Sequence, residues 1–203
     1  MLLGSFLSAL LNLSIFAGVP FLAYFAYNRW RQRRAFSIIA HEAGLRLGEL
    51  RYIVYCLALA LVFVFLVTIL PLPLAPFARV GSPESEFVGL GLSGTAIAMA
   101  LIYGVVQTGF TEELLFRGLI AGSLSRRLRL VWANILQALI FLAPHLLVLR
   151  VMPEMWPILP LIFGVALFVG WARIRSGSIL GPWLAHAALN VTMCLSVAIR
   201  SVH

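Results

Sequence analysis

The spacing of the charged residues is the feature of this sequence that most constrains its fold. Stretches without Asp, Glu, Lys or Arg cover residues 1–28, 52–78, 87–111, 130–149, 155–172 and 176–199. A helix that crosses a bilayer needs about 20 apolar residues, within a range of about 17–25. Each stretch is long enough, although Pro157 and Pro160 leave the start of the fifth helix open. The sequence therefore predicts an all-α fold, a polytopic membrane bundle of about six transmembrane helices. We expect the first stretch to be a retained helix and not a cleaved signal peptide.

The composition excludes the other broad classes of protein. Hydrophobic residues make up 62% of the 203 residues and charged residues 11%, whereas a soluble domain carries about 25% charged residues. All 15 basic residues are Arg and all 7 acidic residues are Glu, so a catalytic Lys and an Asp pair are both excluded. Cys56 and Cys194 lie in apolar runs and indicate neither a disulfide framework nor a thiolate metal site.

The arginines predict the orientation of the chain in the membrane. Loops on the cytoplasmic side carry an excess of Lys and Arg. With the N-terminus outside, eleven arginines fall inside and only Arg79, Arg150 and Arg200 fall outside. The inside set is Arg29, Arg31, Arg33, Arg34, Arg46, Arg51, Arg126, Arg127, Arg129, Arg173 and Arg175. This bias accounts for the net charge of +8, so no nucleic-acid partner is expected. The absence of Lys suggests a bacterial chain, and we expect it in the inner (cell) membrane.

Two units are predicted along the chain. Residues 1–87 hold two N-terminal transmembrane helices, a basic inner loop and an outer loop rich in Pro and Gly. Within them, residues 35–50 are predicted to form a helix on the inner surface, and residues 71–91 the outer loop. Residues 88–203 form the predicted four-helix catalytic core.

Ionisable and polar residues inside the predicted spans mark the candidate site. A charged side chain at the bilayer centre costs about 2.5–3.5 kcal/mol and is usually functional. Glu113 and Arg117 are four residues apart and can pair on one helix face, which leaves the Glu112 carboxylate without a local partner. Measured at 1.5 Å per residue from the inner arginines, the polar groups of three helices share one depth. The depths are about 21 Å for Glu112, about 24 Å for His145, and about 17 and 23 Å for His186 and Asn190.

A carboxylate and imidazoles at one depth suit the hydrolysis of a peptide bond. A buried Glu can take a proton from water, and a neutral His can hold the same water molecule. A second His and an Asn can donate hydrogen bonds to the oxyanion that forms. Neither a nucleophilic Ser nor a nucleophilic Cys is needed for this chemistry.

The three motifs, in this order, resemble the CAAX prenyl protease and bacteriocin-processing family of intramembrane glutamic-type proteases. The matching segments are Glu112-Glu113-x-x-x-Arg117, Phe141-x-x-x-His145 and His186-x-x-x-Asn190, within a resemblance that covers about residues 88–195. The resemblance implies that Glu112 is the general base and that His145 helps it to hold water. It also implies that Glu113 and Arg117 form a structural pair, with Glu113 assisting, and that His186 and Asn190 form the oxyanion site. The implied substrate is a membrane-anchored or lipid-modified protein or peptide in the lipid bilayer.

Several alternatives stay open at this point. Some relatives act in bacteriocin immunity or as membrane scaffolds without proteolysis. No cofactor is expected, but Glu112, His145 and His186 offer the ligands of a zinc site as a second interpretation. Gly91-Leu92-Ser93-Gly94 also matches the GxSG of rhomboid serine proteases, a short match in a Gly-rich segment.

Overall fold

The computed structural model describes residues 1–70 and 74–201 of the chain. Within these residues, six helices are long and apolar enough to cross a membrane and no strand occurs, which confirms the predicted fold class. The six spans are Leu2–Arg31, Leu50–Ile69, Gly94–Ser125, Leu130–Val148, Pro153–Ser176 and Leu180–Arg200. We call them the first to the sixth span.

The sixth span is the central packing element of the bundle. It packs against the second span and against the third span, while the fourth and fifth spans pack against each other. Small residues such as Ala60, Ala172 and Ala185 are buried where these helices meet. Because lipid is as apolar as the side chains, helices in a membrane associate through such close contacts rather than through a hydrophobic driving force. Large apolar side chains instead remain on the outer surface, among them Leu61, Phe65 and Trp132.

The prediction of a surface helix over residues 35–50 is only partly right. The helix is limited to Phe36–Glu42. Gly44 and Gly48 follow it with φ values of 79° and 71°, a left-handed conformation that ends a helix and that glycine adopts without steric cost. The backbone of this segment folds back onto the bundle, and Ile179 N–H donates a hydrogen bond of 3.1 Å to Gly44 O.

The predicted outer loop contains one short helix. Pro83–Phe87 form a 3-10 helix before the third span, with Ser82 preceding it in an extended conformation. Residues 71–73 of this predicted loop, and residues 202–203 of the predicted core, lie outside the described residues. The uncertain start of the fifth span is a 3-10 turn, Pro153–Ile158, which continues directly into the helix Leu159–Ser176.

The two ends of the bundle differ in charge. At one end the connections and the adjoining helix ends carry the eleven arginines, and contacts there include Arg173 Nη2 to Glu42 O at 2.7 Å. At the other end lie the connection before the third span and the connection between the fourth and fifth spans. Arg79 Nη2 joins the first of these connections to the start of the fifth span through an ion pair of 2.5 Å with Glu154 Oε1. We call the two ends the arginine-rich end and the arginine-poor end.

Candidate active site

The third span carries three of the six predicted site residues. It continues through Glu112, Glu113 and Arg117 to Ser125, and so slightly beyond the predicted end near Gly122. Two stretches, Ile102–Phe110 and Glu113–Ala121, are wound with wide π-type turns. Such turns are rare and occur frequently at functional sites.

Glu113 and Arg117 form the predicted ion pair at the floor of the site. Arg117 Nη1 donates to Glu113 Oε1 at 3.0 Å, and each side chain has only 1% of its surface exposed. His186 on the sixth span joins them, with its Nδ1 2.9 Å from the same Glu113 oxygen. The Arg117 guanidinium also lies 4.0 Å above the Phe141 ring, a cation–π contact that adds stabilisation in a desolvated place. The sequence predicted the pair, whereas the bond from Glu113 to His186 joins two helices and was not predicted.

Glu112 points in a different direction from Glu113. Its side chain keeps 31% of its surface exposed, and its Oε2 lies 3.9 Å from His186 Nε2. That separation is too long for a direct hydrogen bond and leaves room for a water molecule bonded to both atoms. Glu113 and Glu112 therefore face opposite nitrogen atoms of the His186 ring, and the Glu113 carboxylate is buried whereas the Glu112 carboxylate is accessible.

The surroundings of His145 fix the tautomer of its neutral ring. Its Nδ1 lies 2.9 Å from the carbonyl oxygen of Phe141. A carbonyl oxygen only accepts hydrogen bonds, so Nδ1 carries the hydrogen and Nε2 has the free lone pair. Nε2 can accept a hydrogen bond from water, which is what the sequence-based role of His145 requires.

Thr108 orients Asn190. The Nδ2 of Asn190 donates to Thr108 Oγ1 at 2.7 Å, and this hydroxyl donates to Tyr103 O at 3.0 Å. An amide nitrogen has two hydrogens, so one remains for another acceptor. Thr108 was not predicted, because a lone Thr in an apolar run commonly bonds to its own backbone.

A cavity of about 570 Å³ connects these side chains. Glu112, His145, His186 and Asn190, from three spans, all line it, whereas Glu113, Arg117 and Phe141 do not. The remaining lining is largely apolar and includes Phe16 of the first span and Ile162 of the fifth. The structure thus brings four of the six predicted site residues to one cavity and places the other two, Glu113 and Arg117, behind it.

Gly104 allows the third and sixth spans to approach closely enough to build this cavity. A Cβ atom at this position would lie 2.9 Å from the backbone nitrogen of Val191 and 3.1 Å from Ala187 O. Both neighbours are backbone atoms of the sixth span, beside His186 and Asn190. A side chain at Gly104 would push these two residues away from the third span.

Glu84 is a cavity residue that the sequence analysis missed. It lies on the short helix Pro83–Phe87 and lines the same cavity as Glu112. Its Oε2 is buried and has no hydrogen-bond partner among the described residues. Burial raises the pKa of this carboxyl above its ordinary value of 4.5. A charged residue in a loop gave no reason to expect a buried side chain.

The structure also bears on the other two interpretations of the sequence, a serine protease with Ser93 and a zinc site. Ser93 caps the third span, because Ala96 N–H donates to Ser93 Oγ at 3.1 Å, and it does not line the cavity. Helix capping is a sufficient reason for a Ser at this position. Within residues 1–70 and 74–201, no three His, Cys, Asp or Glu side chains form a group that could hold a metal ion.

The fold and the site define a class of protein. The chain is a multi-pass integral membrane protein with an accessible carboxylate, two imidazoles and an amide between its spans. The sequence model of the family described as type II CAAX prenyl endopeptidase, Rce1-like, matches residues 94–192. This match extends from the third span into the sixth and confirms the resemblance to this peptidase family. No curated protein and no solved structure matches the chain.

Proposed function

We propose that this protein is an intramembrane endopeptidase that hydrolyses a peptide bond through water activated by Glu112. Its substrate is a membrane-anchored or lipid-modified protein or peptide. The observation that carries the proposal is the convergence of Glu112, His145, His186 and Asn190 on one cavity. The family match supports the same class of reaction.

In the proposed first step, Glu112 activates water. The carboxylate takes a proton from a water molecule that also donates to the free Nε2 of His145, and the hydroxide attacks the carbonyl carbon of the peptide. A side chain in this role contributes typically 10²–10⁴-fold to the rate. The mostly apolar lining strengthens each electrostatic interaction inside the cavity, because little water screens it.

In the proposed second step, the sixth span stabilises the charge that forms on the carbonyl oxygen. Asn190 donates through the hydrogen that Thr108 leaves free, and an imidazolium at His186, held by the Glu113 carboxylate, donates through Nε2. The tetrahedral intermediate then collapses with cleavage of the C–N bond. The proton held on Glu112 passes to the nitrogen of the leaving amine, so the carboxylate is regenerated.

Replacing Glu112 tests the proposal directly. Cells that contain the wild-type chain or Glu112→Gln would be compared by mass spectrometry for new protein termini. Candidate cleavage sites would then be assayed as quenched fluorescent peptides with the purified protein in nanodiscs. Glu112→Gln keeps the size and polarity of the side chain but removes the base, so we expect cleavage to fall at least about 10²-fold.

The matched control is Glu49→Gln. Glu49 is an exposed carboxylate that pairs with Arg51, remote from the cavity. It should cleave at the wild-type rate, and both variants should unfold at the wild-type temperature. Full activity of Glu112→Gln would remove Glu112 from the chemistry, and an unchanged cellular phenotype would favour a non-proteolytic immunity or scaffold protein.

The proposed chemistry uses no metal. Cleavage should therefore survive a strong chelator. Loss of activity with chelator and its recovery with zinc would instead make Glu112, His145 and His186 metal ligands.

A further inference from the structure

The cavity belongs to one half of the bundle. Glu84 and Phe77 line it from the connection before the third span. Met152 lines it from the connection between the fourth and fifth spans, and Met155 from the 3-10 turn that begins the fifth span. Both connections lie at the arginine-poor end. No residue of the segments 32–49, 126–129 or 177–179, which form the connections at the arginine-rich end, lines this cavity.

The floor of the cavity closes it towards the arginine-rich end. Glu113 and Arg117 follow Glu112 along the third span in that direction, and each keeps only 1% of its side-chain surface exposed. Phe116 and Phe141, with ring centroids 5.1 Å apart, complete this layer. The fourth span shows the same order, because its lining residues all follow the buried Phe141 towards the arginine-poor end. These lining residues are Pro144, His145, Val148 and Leu149.

The arginines assign the two ends to the two sides of a membrane. Short connections rich in Arg stay on the cytoplasmic side, and the bias here is eleven against three. The arginine-poor end then faces away from the cytoplasm. The hydrocarbon core of a bilayer is about 30 Å thick. The polar groups of the site lie about 17–24 Å from the inner arginines, so they are nearer to the extracytoplasmic side.

We infer that the cavity takes its substrate from the extracytoplasmic side of the membrane. The substrate is a polypeptide that has been exported and is held by an apolar anchor, and the scissile bond lies where the anchor leaves the outer half of the bilayer. A prenylated C-terminus on the cytoplasmic face would meet the closed floor instead. The side of the cavity follows from its position in the bundle and from the arginine bias, whereas its occupation by a peptide rests on the proposed function.

Thiol labelling tests the side of the cavity without requiring cleavage. Cys56 and Cys194 have no exposed surface, so the native chain provides the unlabelled background. Met155→Cys places a thiol at the cavity, and Leu128→Cys places one at the arginine-rich end without removing an arginine. With a membrane-impermeant maleimide, Met155→Cys should react in intact spheroplasts, and Leu128→Cys only in inverted vesicles. The reverse pattern would overturn the inference.

The released fragments test the class of substrate. Proteins shed from cells with the wild-type chain would be compared with those from Glu112→Gln. The expected difference is a set of fragments outside the cytoplasm, each ending next to an apolar segment. Fragments confined to the cytoplasm would overturn the inference about the side of the membrane, but would support the proposed protease function. If the fragments do not differ in any compartment, the proposed function is wrong, and so is the inferred exported substrate. The labelling result would still decide which side of the membrane the cavity faces.

Discussion

Among the described residues, two of the polar clusters buried between the spans differ in access to the cavity. The first cluster is Glu113, Arg117 and His186. His186 lines the same cavity as Glu112, and the other two side chains lie behind it. Gln137 and Asn134, between the fourth and fifth spans, form a closed cluster that does not border this cavity. Gln137 Nε2 donates to Ala166 O at 2.8 Å and to Asn134 Oδ1 at 3.0 Å, and Gln137 has no exposed surface.

The difference shows that buried polarity alone does not identify an active site. Gln137 and Asn134 donate hydrogen bonds to backbone carbonyl oxygens of the fifth span. Gly170 leaves room there for both side chains, and these bonds hold the two spans together. Interhelical hydrogen bonds of this kind are a common means of attachment in membranes. The first cluster instead includes the imidazole of His186, which lines the cavity.

The largest effect on stability is expected from breaking the ion pair at the cavity floor. Arg117→Leu leaves the buried Glu113 carboxylate without the guanidinium and with only the His186 ring as a partner, which should cost up to about 3–5 kcal/mol in the free energy of unfolding. The double variant Glu113→Gln/Arg117→Leu has no buried charge to compensate and should recover much of that loss. It should not recover cleavage, because the neutral amide that replaces the Glu113 carboxylate would not hold an imidazolium at His186.

Thermal unfolding in nanodiscs and a cleavage assay on the same samples measure the two quantities. A double variant as unstable as Arg117→Leu would show that packing of the guanidinium over Phe141, and not charge, stabilises the floor. A double variant with full activity would contradict the role given to Glu113.

An intermediate effect is expected at the closed cluster. Gln137→Leu leaves the acceptors of Ala166 and Asn134 without their donor, and such a loss costs about 1–3 kcal/mol. Cleavage per folded molecule should stay at the wild-type level, since Gln137 does not line the cavity. Gln32→Leu, an exposed position at the arginine-rich end, serves as the control for added hydrophobicity. A large loss of turnover in Gln137→Leu at unchanged stability would erase the distinction between the two clusters.

The smallest effect is a pH dependence from Glu84. Burial raises the pKa of this carboxyl above 4.5, so the folded state binds its proton more tightly than the unfolded state. Its contribution to stability is complete below the unfolded pKa and is lost as the pH rises through the folded pKa. The unfolding temperature of the wild type should therefore decline over that window, and Glu84→Gln should decline less.

Glu86→Gln is the matched control for this measurement, because Glu86 lies on the same short helix and is more exposed than Glu84, whose Oε2 is buried. It should follow the wild-type curve. Parallel curves for the wild type and Glu84→Gln would mean that the Glu84 carboxyl is hydrated in solution.

The sequence was sufficient for the spans and for the pairing within a helix. Charge-free stretches have one stable solution in lipid, since only a helix satisfies its own backbone there, and an i, i+4 Glu and Arg can meet in any helix. The predicted helix over residues 35–50 was too long, because the sequence shows Gly44 but not the positive φ value with which it stops the helix after Glu42.

Contacts between helices could not be predicted from spacing. Whether Glu113 or Glu112 meets His186 Nδ1 depends on the rotation of the third span, which its π-type turns alter. Thr108 and Glu84 were missed for a related reason, because each is defined by a neighbour far away in the chain. The roles of the six site residues in hydrolysis remain predictions, and the variants above test those of Glu112, Glu113 and Arg117.

The sealed floor has a consequence for the order of events in a catalytic cycle. In the proposed reaction Arg117 and Phe141 close one direction, so water and polypeptide enter the cavity, and both products leave it, on the arginine-poor side of this floor. The cleaved membrane anchor must then leave the cavity before the next substrate binds. Accumulation of this anchor should therefore slow turnover by competition with substrate.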